Sequence, residues 1–371
     1  MSKAAELAAL IANVNKGSSL GNKNLIINGG MTVAQRSTSE ASKTTVDGYV
    51  CLDRWSIQTG SVGTFTHSQS SDVPSGYGFS NSVKFDCTTA DASPDYGLIR
   101  QRFEGQNVQV LRKGTSSAVP VTLSFWVKSN LTGNFQVNLQ DIDTSGSRHI
   151  GATYSISSAD TWEKKEITFA GDTTGALDND NAASFNIEWW LAAGSTYNSG
   201  SVPTSWAAES NANRAAGLNV SIGSSTDNEF YLTGVQLEIG EKATEFEHEP
   251  FETTLHKCER YFCKSYNYAH AVGTASYFGM RGTDLEENNQ GSGYREKYDL
   301  MFPMRMRNSP TVTVYDSAGT VNKCNYYISA GSHPNKAMTV SAAKDTCFGG
   351  YNDRTTTIGG WRVHFAADAE L

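Results

Sequence analysis

The chain has 371 residues, a formal net charge of −8 and 18% charged residues, against roughly a quarter in ordinary soluble domains. A phosphate backbone calls for a basic stripe, and the one cluster present, Met304-Arg305-Met306-Arg307, is short and set among apolar residues, which argues against nucleic acid as a partner. No run reaches the roughly 18 apolar residues of a membrane span, and 16 Phe, 16 Tyr and 7 Trp supply too much buriable surface for a disordered chain.

Residues 2–15 read as a short helix. Ser2 suits the N-cap, and Leu7, Leu10, Ile11 and Val14 make one apolar stripe. A helix of about 14 residues is marginal alone in water, so the stripe needs a partner surface. That partner is either the chain's own domain or another protein or copy. The tether-like Lys16-Gly17-Ser18-Ser19-Leu20-Gly21-Asn22 favours an anchor or oligomer contact. Glu6 and the lack of a small-residue cleavage pattern argue against a secretory signal, so synthesis in a cytosol is expected.

From Asn24 the texture changes. Leu25–Ile27 predicts a short strand closed by the turn signal Asn28-Gly29-Gly30. Further strands are expected at Arg54–Gln58, Gly63–Ser68, Ser82–Asp86, Leu98–Phe103, Val119–Lys128, Asn134–Asp141, Ala152–Ile156, Glu163–Ala170, Phe185–Ala192, Leu218–Ile222 and Glu229–Ile239. In Val119–Lys128 the apolar positions alternate, the period of a half-buried strand, and Trp126 falls on the opposite face with Thr122 and Ser124. Short strands parted by turns predict an all-β jelly-roll sandwich over residues 23–250.

Candidate binding residues lie within it. Trp189 and Trp190 point to opposite faces if they share a strand, so Trp190 is either a platform for a sugar ring or covered by a loop or sister subunit. Trp206 sits in a Ser/Thr/Ala-rich stretch. Asp172, Asp178 and Asp180 crowd one loop with Asn179 and Asn181, and hard oxygen donors at close spacing suit Ca²⁺, although Asx-rich turns also form without metal. Asp141 and Asp143 are a weaker pair. Glu245, Glu247 and Glu249 would share one face of a strand around His248, which reads as a solvated edge.

Pro250 ends this pattern. Thr254–Phe262 has helical spacing and predicts a linker helix into a smaller β domain over residues 251–371, with strands at Ala275–Arg281, Tyr298–Pro303, Thr311–Tyr315, Val321–Ile328, Ala337–Val340 and Gly360–Ala366. Tyr266, Tyr268, Tyr277 and Tyr294 are further candidate sugar platforms there. The six cysteines form no C-x-x-C pair and are expected to be reduced and mostly buried. H-E-x-x-H and phosphate-loop patterns are missing, and no catalytic set and no cofactor is predicted. A glycan depolymerase needs only two carboxylates brought together by the fold, a reading that sequence leaves open.

Several stretches resemble the tail-fibre and virion-fibre proteins of tailed bacteriophages, notably those of marine hosts. They are Asn24-Leu25-Ile26-Ile27-Asn28-Gly29-Gly30-Met31 with Ala34-Gln35-Arg36, Leu52-Asp53-Arg54-Trp55, Gln101-Arg102-Phe103-Glu104-Gly105-Gln106-Asn107, Val121–Ser129, Gly171–Gly175 with Asp178-Asn179-Asp180, Thr233–Glu238, Phe246–Phe262 and Phe365–Leu371. The resemblance implies a virion protein, commonly homotrimeric, with a sandwich like those of carbohydrate-binding modules. The expected partners are other virion proteins (a tail adaptor or nozzle, or the capsid) and host cell-surface polysaccharide. Two alternatives stand beside the tail fibre: a capsid-decorating or vertex fibre, and a glycan-cleaving depolymerase.

Overall fold

The computed structural model describes Lys3 and residues 23–44, 46–91, 93–143, 147–282, 286–287, 298–328, 331–351 and 358–371. The stripe residues Leu7, Leu10, Ile11 and Val14, and Tyr294, lie outside the described residues. The fold is all-β.

Thirteen strands build the first unit: β1 (Ser39–Lys43), β2 (Val46–Gly48), β3 (Ser56–Gly60), β4 (Thr64–Ser70), β5 (Ser82–Thr89), β6 (Tyr96–Glu104), β7 (Val121–Ser129), β8 (Gly133–Asp141), β9 (Arg148–Ile156), β10 (Glu163–Phe169), β11 (Ala183–Ala193), β12 (Ala207–Ala208) and β13 (Glu229–Ile239). A front sheet runs β1-β4-β5-β13-β7-β10 and a back sheet runs β12-β9-β8-β11-β6-β3-β2. The central strands β5-β13-β7-β10 and β6-β11-β8-β9 carry the order of a jelly roll, in which the chain passes repeatedly between the two sheets. Period-two alternation fills the space between them. Leu123, Phe125 and Val127 of β7 and Leu232 and Leu237 of β13 meet Phe135, Val137 and Leu139 of β8 and Ile187 and Trp189 of β11, all buried. Trp189 is fully enclosed, with its ring centre 5.6 Å from that of Trp55 and 5.8 Å from that of Phe125.

Ten strands follow: β14 (Phe262–Lys264), β15 (Arg281–Gly282), β16 (Glu286–Glu287), β17 (Tyr298–Met301), β18 (Thr311–Tyr315), β19 (Lys323–Ile328), β20 (Gly331–Ala337), β21 (Thr339–Ala343), β22 (Cys347–Tyr351) and β23 (Ile358–Asp368). The long β23 pairs with β14, β15, β16, β18 and β19, and a separate sheet runs β17-β22-β21. A second apolar cluster, including Met306, Val314, Phe348, Trp361 and Phe365, fills this part.

Several predicted elements differ from those observed. Ala275–Arg281 is loop and turn, with only Arg281 entering β15, and Ala337–Val340 is divided between the end of β20 and the start of β21. Leu25–Ile27 joins no sheet as a strand. Instead the segment lies along a bulge in β13, with Leu25 N donating to Leu237 O (2.9 Å) and Val235 N to Gly29 O (3.0 Å). A Cβ on Gly29 would lie 2.1 Å from Val235 O, so only glycine permits that approach. Leu218–Ile222 is not a strand: residues 218–221 join no ladder and lead from a turn at 214–217 into the short 3-10 helix Ile222–Ser224. The linker helix, α1 (Phe251–Glu259), starts three residues earlier than Thr254, with the Pro250 carbonyl accepting from Thr253 N (3.0 Å) and Thr254 N (3.2 Å), and Phe262 is drawn off into β14. All six cysteines are free, and five are buried.

The two apolar clusters are joined through buried charge. Arg54, 1% exposed in its side chain, pairs with Glu370 and lies with its guanidinium 3.5 Å from the ring centre of Tyr261. Arg36 lies 3.8 Å over Phe262 and pairs with Asp368 at 2.9 Å. Glu104 accepts two bonds from Arg260 (2.8 and 2.7 Å) and one from the Tyr261 hydroxyl (2.5 Å). Gln35 bridges Asp53 and the Phe262 carbonyl. Removing one member leaves the other as an unpaired buried charge. Glu370→Gln is therefore expected to lower the unfolding free energy by about 3–5 kcal/mol in urea titrations, while Arg54→Met with Glu370→Leu recovers most of that loss.

His67 is buried beside Phe85, with ring centres 3.9 Å apart, and among the described residues neither ring nitrogen has a partner. Burial, with Lys43 adding a smaller repulsion, pushes its pKa down to about 3. The unfolded chain protonates His67 near pH 6.5 and the folded chain does not. The native state is thus favoured fully above that pH and progressively less as the pH falls toward 3, by about 1.4 kcal/mol per pH unit. His67→Phe is expected to flatten the fall in melting temperature between pH 7 and pH 5 relative to the parent chain.

Candidate functional site

The outer face of the front sheet gathers aromatic rings and charges that the chain alternation turns away from the core. Because Phe125 and Val127 point inward, Trp126 and Lys128 point outward. In the ladders, Tyr231 of β13 stands opposite both Lys128 of β7 and Lys84 of β5, and Thr233 stands opposite Trp126. Trp162, just before β10, and Tyr77, from the β4–β5 connection, complete the group.

Rings and charges interleave here. The ring centres of Tyr77 and Trp126 lie 4.3 Å apart, and those of Trp162 and Tyr231 lie 6.1 Å apart. Lys128 pairs with Asp72 and sits 4.3 Å from the ring centre of Tyr231 and 5.7 Å from that of Trp162. The Trp162 indole N–H donates to Asp72 (2.9 Å). Lys84 donates to Glu229 (2.6 Å), which also accepts the Tyr231 hydroxyl (2.7 Å). Tyr77 is 52% exposed, whereas Trp126 and Trp162 are half-buried and Tyr231 is buried. Rigid rings with wet edges beside fixed acceptors and donors can stack a C–H face and bond hydroxyl groups at the same time.

Burial raises the carboxyls, but hydrogen bonds from Lys128 and Trp162 hold Asp72 below its ordinary range, and those from Lys84 and Tyr231 do the same for Glu229. Burial and the Glu229 carboxylate push the Tyr231 phenol up. Asp72 and Glu229 therefore stay ionised at neutral pH and serve as acceptors, not as proton donors.

Behind Trp126 lies a bulge in β13. Gly234 there has φ +60°, and a Cβ on it would come within 2.5 Å of Phe79 and 3.0 Å of Trp126. Phe79, Phe246 and His248 form a contiguous aromatic group, and the His248 imidazole bonds the Tyr77 carbonyl at 3.0 Å. The Glu245–Glu249 stretch is not the strand edge its alternation suggested. It has no ladder partner among the described residues; Glu247 accepts from Asn24 N (3.1 Å), and Glu249 pairs with Lys257.

The sequence-predicted residues scatter. Trp190 lies on the opposite face of β11 from Trp189, but it too belongs to the buried apolar cluster, covered by Tyr197 and Arg214, so no sugar can stack on it in this structure. Trp206 is half-buried and donates its N–H to Ala170 O (2.7 Å), plugging one end of the sandwich. Tyr266 is buried, stacked on His364 with ring centres 3.8 Å apart. Tyr268 is 37% exposed, and its hydroxyl accepts from Ala34 N (2.8 Å). Tyr277 is exposed at 64%.

The Asp-rich loop is organised without a metal-like cluster. Asp172 pairs with Arg148 (2.8 Å) and with Lys113 (3.1 Å), and the Lys113 ammonium also bonds Asp141 (2.5 Å) and the carbonyls of Thr174 and Gly175. An ammonium thus occupies the place suggested for Ca²⁺. Asp178 and Asp180 are exposed, and among the described residues no group of three His, Cys, Asp or Glu side chains is placed to share a cation.

The front-face group was half legible. The outward parity of Trp126 is plain from β7, but its partners come from distant segments; Trp162 and Asp72 are 90 residues apart in sequence. Gly234→Ala is expected to displace Phe79 and Trp126, shifting tryptophan emission to longer wavelength and costing about 1–3 kcal/mol in thermal melts, since an L-residue at this φ is strained as well as crowded.

No protein-family model matches the sequence, and no curated protein matches it. Solved structures align at low similarity. A putative sugar-binding protein from Bacteroides thetaiotaomicron aligns at 12% identity and TM-score 0.35 over 58% of this chain and all of its own. The enzymatically active domain of bacteriophage CBA120 tailspike protein 4 aligns at 13% identity and TM-score 0.32 over 59% of this chain. This chain spans 22% of that tailspike's length. The family 11 carbohydrate-binding module of a cellulosomal cellulase of Clostridium thermocellum aligns at 14% identity and TM-score 0.29, over 55% of this chain and 98% of its own. At these scores the likenesses carry no argument about what this chain binds.

Proposed function

We propose that the chain is a non-catalytic, glycan-binding fibre protein of a phage virion. The observation that carries the binding half is the front-sheet face, where Tyr77, Trp126 and Trp162 offer ring surface beside the ionised acceptors Asp72 and Glu229 and the donors Lys84 and Lys128. The virion half rests on the sequence resemblance. In this reading residues 1–22 anchor the chain or join three copies through Leu7, Leu10, Ile11 and Val14. Residues 23–250 form the body, and residues 251–371 form a distal tip on which Tyr268 and Tyr277 offer a second, smaller aromatic surface. The ligand is a host surface polysaccharide, and the assembly is a homotrimer held to other virion proteins.

The test combines a glycan array with a reducing-end assay on host polysaccharide. The parent chain is expected to bind without releasing reducing ends. Tyr77→Ala with Trp162→Ala is expected to weaken binding roughly tenfold or more, from about 0.5–1.5 kcal/mol per ring. Accumulating reducing ends, or unchanged binding by the double variant, would overturn the proposal.

A further inference from the structure

A second concavity lies away from the front-sheet face, at an end of the sandwich. It holds about 480 Å³, within the roughly 300–1,000 Å³ typical of small-molecule sites. Its floor is aliphatic, made by Leu131, Leu218 and Val220, which pack on the edge of the main core. Its rim carries the side chains of Asn198, Asn219 and Ser224. Among the described residues that line it, none is charged and none is aromatic.

The rim groups are only partly engaged by the protein. Asn219 is fixed by Asn134, whose N–H donates to Asn219 Oδ1 (2.7 Å) and whose carbonyl accepts from Asn219 N (3.1 Å), which leaves the Asn219 Nδ2 donors open. Asn198 gives Nδ2 to the Ala193 carbonyl (3.1 Å) and keeps its Oδ1 acceptor. The Ser221 hydroxyl is shielded from solvent, so it is not among the groups the hollow presents.

These features select a ligand. A charged group would find no counter-charge, and a flat sugar face would find no ring to stack on. An aliphatic floor instead suits a methyl group, while the rim offers donors and an acceptor to hydroxyls. We infer that this hollow is a binding site for a neutral sugar bearing a methyl group, either a 6-deoxyhexose or an N-acetylhexosamine, separate from the aromatic face.

Saturation-transfer difference NMR on the full chain tests this, with the methyl glycosides of a 6-deoxyhexose, an N-acetylhexosamine and an unmodified hexose as probes. The strongest transfer is expected at the 6-methyl or acetamido methyl protons, and which probe responds separates the two sources. Asn198 is exposed on a short helix, so Asn198→Trp fills the hollow without disturbing the core and is expected to cut apparent affinity at least tenfold. Tyr77→Ala with Trp162→Ala is expected to leave this signal intact even where it abolishes polysaccharide binding. No transfer from any probe, transfer unchanged in Asn198→Trp, or transfer lost in the aromatic double variant each sinks the inference.

Discussion

The architecture turns on a handful of charges taken out of water between two β units. Arg54 and Glu370 are almost completely enclosed, and Glu104 receives both Arg260 and Tyr261. Such groups are tolerable only when every partner is in place, because desolvation is offset by short charge-assisted bonds and by stacking on Tyr261 and Phe262. The partners come from residues 35–36, 53–54, 104, 260–262 and 368–370, so the junction forms only when the jelly roll, the linker helix and the final strand are all folded. It couples local elements into one cooperative arrangement and fixes how loops of the second unit stand relative to the first. Arg307 extends the same logic at the margin, with its guanidinium bonded to the carbonyls of Asn181, Ala369 and Glu370.

This junction also explains which sequence features stood out. Ala34-Gln35-Arg36, Leu52-Asp53-Arg54-Trp55, Gln101–Asn107, Cys258–Phe262 and Phe365–Leu371 look unrelated along the chain, yet they supply most of its members. Strand content was legible because period-two burial is a local property. Glu229–Ile239 is observed with the expected bounds, and Val119–Lys128 is observed as Val121–Ser129. The failures came from non-local chemistry. Leu25–Ile27 has the residues of a strand, but a bulge in β13 receives it as a docked segment. The Asp-rich loop has the composition of a cation site, but Lys113, some 60 residues earlier, supplies the cation. Trp190 has the parity of an outward platform, but Arg214 and Tyr197 lie over it. In each case the deciding partner was remote in sequence.

The two faces of the sandwich therefore differ in kind. On the back sheet the outward row includes Gln136, Asn138, Glu188 and Arg100, all buried. The chain's own Asn213–Gly217 stretch takes up their hydrogen bonds, through Gln136 to Asn213 O, Asn138 to Arg214 O and Arg214 to Glu188. Polar side chains there are structural partners. On the front sheet the outward rings and charges have partners among themselves and keep edges in solvent. Binding chemistry follows from that difference more than from the number of aromatic residues on either side.

Low charge takes on a specific meaning in this setting. Several of the few charged side chains, including Arg36, Arg54, Glu104, Lys113, Asp141 and Glu188, are themselves largely removed from solvent and held in ion pairs. Charges used this way contribute little to the field outside the molecule, because each is neutralised within a few ångströms. On the front face the ring edges of Tyr77, Trp126 and Trp162 lie beside charges that are already paired. Such a surface discriminates by shape and hydrogen-bond direction, and salt screens it far less than it screens an ionic one.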